Sequence, residues 1–274
     1  MAKIGVFDSG VGGITVLKEI IKNLPGEEII YYGDNKYAPY GNRTVENIRE
    51  LCLNIGEFLV KSKVDAIVIA CNTATAASID ILKERFPFIP ILGVIEAGAR
   101  VAEETTASRC TGILATPATV AMGAYPRAIQ SIDSSLSVIQ RGCPEFCPMI
   151  EDGWEDTLEN EEIVKGHLSH IPEQADTLVL GCTHYPIIKN IIARFFKGRI
   201  VDPAEETAIS LRKELLLNSI KINESGKGHT EFYVSGDTEK FQKVAESFLG
   251  QKIEKIYQID LSAINLSVIN LNAS

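Results

Sequence analysis

The chain has 274 residues, 45% of them hydrophobic, and 27 basic against 36 acidic side chains leave a formal net charge of −9. That is a globular composition, long enough for one large α/β domain or two smaller ones, and it excludes a disulfide mini-scaffold. Net acidity without a lysine–arginine run argues against a surface built to neutralise phosphates, so no direct nucleic-acid binding is expected. No apolar stretch approaches the length that crosses a bilayer, and no membrane association is expected. The N-terminus, MAKIGVFDSG, passes from one lysine straight into a strand without a signal-peptide core, which predicts a cytoplasmic protein. The six cysteines (Cys52, Cys71, Cys110, Cys143, Cys147 and Cys182) are then kept in a reducing compartment, as small hydrophobes or for their chemistry.

In chain order, apolar runs predict strands at 3–8, 28–33, 65–70, 90–94, 110–115, 135–140, 176–181 and 199–201. Segments of helical period between them predict helices at 12–23, 44–62, 72–86, 158–169, 184–196 and 203–217. NSIKINESGKGH (218–229) reads as a loop before a last strand, EFYVSGD, and a helix over about 238–249. The uncharged tail, LSAINLSVINLNAS (261–274), has no structural reading. Strands alternating with helices predict an α/β fold with parallel sheets.

An internal repeat constrains the architecture further. DAIVIACNTA (65–74) aligns without gaps on DTLVLGCTHY (176–185), pairing Asp65 with Asp176 and Cys71 with Cys182 at an offset of 111 residues. IGVFDSGVGG (4–13) corresponds loosely to TGILATPATV (111–120), with Gly5 on Gly112, at an offset of 107. Two similar halves follow, facing each other across a pseudo-twofold axis.

Each repeat places a cysteine where a strand ends and a helix is expected to begin, with Asn72-Thr73 or Thr183-His184 in the first turn. The positive end of a helix dipole there favours thiolate, and the carboxyl end of α/β strands is where ligands bind. A buried structural cysteine is the plain alternative for either thiol alone; a matched pair speaks against it. A redox pair or a metal site would also use two thiols, but neither needs each in its own strand–helix unit. Two-base proton exchange does: one thiolate removes a proton from one face of a carbon, the opposite thiol protonates the other face, and the configuration inverts.

Asp8, in FDSGVGG, reaches the same end of the sheet, where Gly10, Gly12 and Gly13 leave backbone N–H groups open to an anion; a helix cap is the alternative reading. The glycine spacing is not that of a dinucleotide fold, so no nucleotide is expected. His184 is the acid–base partner in the second half, while His167, His170 and His229 read as surface residues. His167 and His170 lack a third ligand, and C-P-E-F-C (Cys143, Cys147) lacks a second cysteine pair, so no metal site is expected. Of Glu145 and Glu151, which flank that loop, Glu151 is favoured for the site. The turn-rich loop YYGDNKYAPYGNRT can present Tyr40 and Gly41 to a substrate. Neither cysteine motif carries a lysine of the kind that holds pyridoxal, and no cofactor is expected.

Together, FDSGVGG, YAPYGNRT, IVIACNTATA, LATPATV and LGCTHYP resemble the bacterial glutamate racemases, within the cofactor-independent aspartate/glutamate racemase family, over about residues 4–210. The resemblance implies that Cys71 and Cys182 are the catalytic acid–bases, the first acting on the D enantiomer and the second on the L. Asp8 would assist Cys71, and His184 and Glu151 would assist Cys182. Substrate contacts are implied for Asp8, Ser9, Tyr40, Gly41, Asn72, Thr73, Thr116, Thr119, Thr183 and His184. The implied architecture is two α/β domains with the active site in the cleft between them: residues 1–94 with about 205–262, then 95–204, with a tail at 263–274. A homodimer, a role in supplying D-glutamate for peptidoglycan and, by analogy with some members, an interaction with DNA gyrase are also implied. Activation by a peptidoglycan precursor through an N-terminal extension is not expected, since the chain starts at its first strand. An aspartate racemase is the nearest alternative; a thiol redox or metal protein using Cys71 and Cys182, or a non-catalytic interaction protein, are the others.

Overall fold

The computed structural model describes residues 1–224 and 226–262; the tail at 263–274 lies outside the described residues. Among the described residues ten strands form two wholly parallel sheets. The first sheet contains β1 (Lys3–Asp8), β2 (Glu28–Gly33), β3 (Ala66–Ile69), β4 (Ile91–Gly93), β9 (His229–Val234) and β10 (Ile256–Gln258), in the order β10-β9-β2-β1-β3-β4. The second contains β5 (Cys110–Ala115), β6 (Ser137–Gly142), β7 (Thr177–Gly181) and β8 (Arg199–Val201), in the order β6-β5-β7-β8. The helices are α1 (Ile14–Asn23), α2 (Val45–Lys61), α3 (Asn72–Arg85), α4 (Val94–Thr105), α5 (Pro117–Met122), α6 (Ala124–Ile132), α7 (Phe146–Glu151), α8 (Leu158–Leu168), α9 (Lys189–Phe195), α10 (Pro203–Leu217) and α11 (Thr238–Leu249). Among the described residues no helix is long and apolar enough to cross a membrane.

The repeat is realised strand for strand. The order β2-β1-β3-β4 in one sheet matches β6-β5-β7-β8 in the other. Gly5 pairs with Ile67 across β1 and β3, and Gly112 pairs with Leu178 across β5 and β7, so both sequence offsets hold within the hydrogen-bonded registers. The paired aspartates also do equivalent work at the strand entrances. Asp65 Oδ2 accepts from Lys3 N at 2.8 Å, and Asp176 Oδ2 accepts from Ala107 N at 2.8 Å and Ser108 N at 2.6 Å, each fixing the chain just before a central strand.

The near-continuous apolar strands are explained by burial on both faces, as parallel sheets require. Along β1, β2 and β3, Ile4, Val6, Ile29, Tyr31 and Val68 enter one core, and Phe7, Ile30, Tyr32, Ile67 and Ile69 enter the other. The second sheet divides likewise, with Leu114, Leu178 and Leu180 on one face and Ile113, Ala115 and Val179 on the other.

Three expectations shift. The sixth strand starts at Ser137 rather than 135, because Asp133 folds the preceding residues into a turn, its Oδ1 accepting from Ser135 N at 2.9 Å and its carbonyl from Leu136 N at 3.2 Å. The helix expected at 184–196 is a 3-10 turn (Tyr185–Ile188) followed by α9; Pro186 brings no N–H, and the bonds Tyr185 N to Cys182 O and Ile187 N to His184 O have the shorter span. His167 is buried rather than on the surface: Arg141 Nε donates to its Nδ1 at 3.0 Å, its Nε2 donates to Glu145 at 2.9 Å, and Phe146 stands edge-on to its ring.

Candidate active site

The carboxyl ends of β1 and β3 in one sheet and of β7 in the other converge on a cavity of about 350 Å³. Cys71 and Cys182 both line it. Of the other expected residues, Ser9, Tyr40, Gly41, Asn72, Thr73, Thr116, Glu151, Thr183 and His184 also line it, while Asp8 and Thr119 stand one layer behind, fully buried.

Cys71 is the N-cap of α3, where its Sγ accepts from Ala74 N at 3.4 Å, and its thiol donates to Ser9 Oγ at 3.5 Å. Asn72 and Thr73 form the first helical turn, as expected, and both are held from the opposite half. Tyr125 donates its hydroxyl to Asn72 Oδ1 at 2.8 Å, which leaves the Asn72 amide N–H groups out of that bond in a residue that lines the cavity. Thr73, Thr116 and Thr119 form a triangle of hydroxyls with edges of 2.9 to 3.1 Å. Thr119 thereby positions Thr73 and Thr116 from behind. Tyr40 spends its own hydroxyl on Asp34 at 2.5 Å, so this residue offers the cavity its ring and backbone.

Cys182 has a different setting. The turn after β7 gives it no α-helix N-terminus, and its polar neighbours are His184 Nδ1 at 3.8 Å and Cys147 Sγ at 3.4 Å. Glu151 Oε1 lies 2.9 Å from His184 Nε2; the carboxylate only accepts, so it fixes a proton on Nε2 and aims Nδ1 at the thiol. Asp8 accepts from Gly10 N at 2.8 Å and from Thr183 Oγ1 at 3.5 Å, tying the first strand's turn to the loop that carries Cys182. That close approach demands glycine: a Cβ at Gly12 would lie 2.3 Å from Thr183 Oγ1 and 2.5 Å from His184 Nδ1.

The expected bias toward thiolate is overturned in the free site. Burial pushes the Cys71 thiol up to about 12, the Asp8 charge adding to it, and the Ser9 and Ala74 hydrogen bonds recover only part. Cys182 is raised well above the ordinary thiol value by the Cys147 contact and by burial, against the pull of His184. Burial works to lower His184, but its hydrogen bonds to Cys182 and Glu151 outweigh that and hold it up at about 10. The same bond from His184 holds Glu151 below the usual carboxylate range. Asp8 is raised by burial, with His184 and the Gly10 and Gly13 N–H groups opposing. At Cys71 desolvation therefore outweighs the helix-end effect, and at Cys182 the Cys147 contact and burial outweigh the pull of His184.

Three features escaped sequence reasoning. Tyr125 lies on α6, outside every motif, and only its size in a helical stripe marks it as core. Lys240, exposed on α11, lines the cavity mouth from the chain's last β–α pair and lowers Glu151 further. Cys147 looked structural with Cys143, yet only Cys143 is core; Cys147 is half-buried in the cavity wall.

The sequence pattern of the Asp/Glu/hydantoin racemases matches residues 4–210. The chain belongs to that family. It is 43% identical over 259 residues to the glutamate racemase of Fusobacterium nucleatum, covering 94% of this chain and 97% of the relative. Among solved structures of the family, the glutamate racemase of Francisella tularensis, in complex with D-glutamate, superposes with a TM-score of 0.90 at 35% identity, covering 96% of this chain and 99% of that one. A glutamate racemase isoform from Bacillus anthracis gives a TM-score of 0.91 at 38% identity, covering 95% and 98%. The family fold is thus two parallel-sheet α/β halves, as the repeat predicts.

Proposed function

We propose that the chain interconverts L- and D-glutamate by two-base proton transfer between Cys71, Cys182 and the substrate α-carbon, supplying D-glutamate for peptidoglycan. The observation that carries this reading is the convergence of two repeat-related cysteines, from opposite sheets, on one small cavity. A substrate carbon held between them presents one face to each sulfur. Cys182, as thiolate, removes the proton of the L enantiomer, with the charged His184 beside it favouring the negative sulfur and the thiol proton leaving to solvent when substrate binds; Cys71 then protonates the other face. For the D enantiomer the roles reverse, with buried Asp8 beside Cys71 as the proton partner. The substrate's ammonium group adds positive charge to that of His184, which favours the thiolate when substrate is bound.

Without a cofactor, the carbanion must be stabilised by donors already aimed at the α-carboxylate. In this reading Asn72, Thr73 and Ser9, which line the cavity, are those donors, and Tyr125 and Thr119 act as positioning residues for Asn72 and Thr73. Each half forms one domain in this reading, residues 1–94 with about 205–262 and residues 95–204, and their closure excludes water from the cleft. The test is circular dichroism of L-glutamate, D-glutamate and both aspartate enantiomers, incubated with reduced, pyridoxal-free protein. Loss of optical activity from both glutamate enantiomers is expected; loss with aspartate alone reassigns the substrate.

A further inference from the structure

Three side chains in the cavity wall form a donor set that racemisation does not use as a set. Cys147 Sγ lies 3.4 Å from Cys182 Sγ, Cys182 Sγ lies 3.8 Å from His184 Nδ1, and the three donor atoms all lie within 4.8 Å of one another. All six cysteines are free. We propose that Cys147, Cys182 and His184 are an inhibitory binding site for a thiophilic divalent cation of the zinc class, which closes the catalytic centre when occupied. The inhibition rests on the proposed role of Cys182; the binding does not.

Two thiolates and an imidazole suit zinc or cadmium and not magnesium or calcium, which take oxygen cages. With Zn–S near 2.3 Å and Zn–N near 2.0 to 2.1 Å, a tetrahedral ion sets its sulfurs about 3.8 Å apart and each sulfur about 3.6 Å from the nitrogen. The observed edges of 3.4 and 3.8 Å bracket those values. The remaining separation closes by about 1.2 Å at most, within reach of the half-buried Cys147 side chain. The outer shell is also in place: metal-bound histidines donate their second N–H to a carboxylate, and His184 Nε2 already does so to Glu151 at 2.9 Å. Three protein ligands leave a fourth position open to the cavity, where water or a substrate carboxylate completes the tetrahedron. On binding, both thiols and His184 Nδ1 give up their protons to solvent, and His184 coordinates through neutral Nδ1 while Nε2 keeps its proton toward Glu151. Cys182 is then unable to accept or deliver a proton.

The probe is cadmium, titrated into the reduced, metal-free full chain without substrate and followed by cadmium–thiolate charge-transfer absorption. One equivalent is expected to saturate the band. Cys147→Ala should weaken binding by at least about 100-fold, and Glu151→Gln, which removes only the outer-shell partner, by about 10- to 100-fold. In the racemase assay, zinc should inhibit wild type far more than it inhibits Cys147→Ala, each compared with its own metal-free rate. No band, or a band of equal affinity in Cys147→Ala, overturns the proposal. A band at one equivalent in a protein that racemises no glutamate when metal-free upholds the binding site and refutes the functional reading instead.

Discussion

Gly12→Ala probes whether the two halves meet as closely as the structure requires. The added carbon would sit 2.3 Å from Thr183 Oγ1 and 2.5 Å from His184 Cε1 and Nδ1. Non-bonded contacts are comfortable only near 3.5 to 4.0 Å, so the loop bearing Cys182, Thr183 and His184 must retreat by about 1 Å or more. Thr15 Oγ1, donating to the Thr183 carbonyl at 2.9 Å, resists that retreat. Overpacking of this kind costs about 1 to 3 kcal/mol, and each kcal/mol lowers the melting temperature by about 2 to 4 °C for a chain somewhat shorter than this one. A displacement of about 1 Å between reacting groups costs about 10²-fold in rate, so kcat/KM for both glutamate enantiomers should fall by that order. Gly166→Ala is the control: nothing lies within 4 Å of its added carbon, it sits inside α8, and it should stabilise by up to about 0.5 to 1 kcal/mol with activity intact. Thermal melts and circular-dichroism rates on the two variants suffice. A Gly12→Ala protein as active as wild type would refute the close approach and the positioning argument built on it.

Other substitutions test the two acid–base arms. Tyr125→Phe removes the donor to buried Asn72 Oδ1 and should cost about 1 to 3 kcal/mol in urea denaturation, with kcat falling more than KM rises, because Asn72 no longer aims its amide; unchanged kcat would contradict that role. Glu151→Gln removes a charge-assisted bond worth about 1 to 2 kcal/mol, after discounting for a side chain 33% exposed. The sign follows from both partners. Glu151's depressed value gives stability present above 4.5 and lost as pH falls through its lowered value; His184's raised value gives stability complete below 6.5 and lost as pH rises toward about 10. The difference between wild type and Glu151→Gln should therefore peak between about pH 4.5 and 6.5 and shrink on either side. The alkaline limb of the rate profile should move to lower pH in the variant; a stability difference independent of pH would exclude the ion pair as its source.

Much of this was legible in the residues. The ungapped match of DAIVIACNTA with DTLVLGCTHY survives as matched registers in two sheets, because parallel strands buried on both faces tolerate few substitutions and keep their apolar signature. Cys71 at a helix cap was readable from the strand end followed by Asn-Thr. The helix after Cys182 was not, since Pro186 converts the first turn to 3-10 geometry and removes the dipole from that thiol. Contacts between distant segments carried no local signal. Tyr125 on Asn72, Lys240 at the mouth and Cys147 on Cys182 are brought together by the fold alone. The direction of the thiol shifts was also missed, because desolvation depends on how deeply the site is enclosed and sequence spacing says nothing about that.

The most direct test of the two-thiol account is early turnover in D2O, starting from L-glutamate and, separately, from D-glutamate, with circular dichroism reporting the enantiomer formed and proton NMR with a chiral solvating agent reporting the α-proton of each enantiomer. With Cys71 and Cys182 on opposite faces, the newly formed enantiomer should carry deuterium at the α-carbon while the remaining substrate retains protium. Cys71→Ser and Cys182→Ser should abolish that turnover. A product that keeps its original proton would mean one base serving both faces, and the central claim would fall.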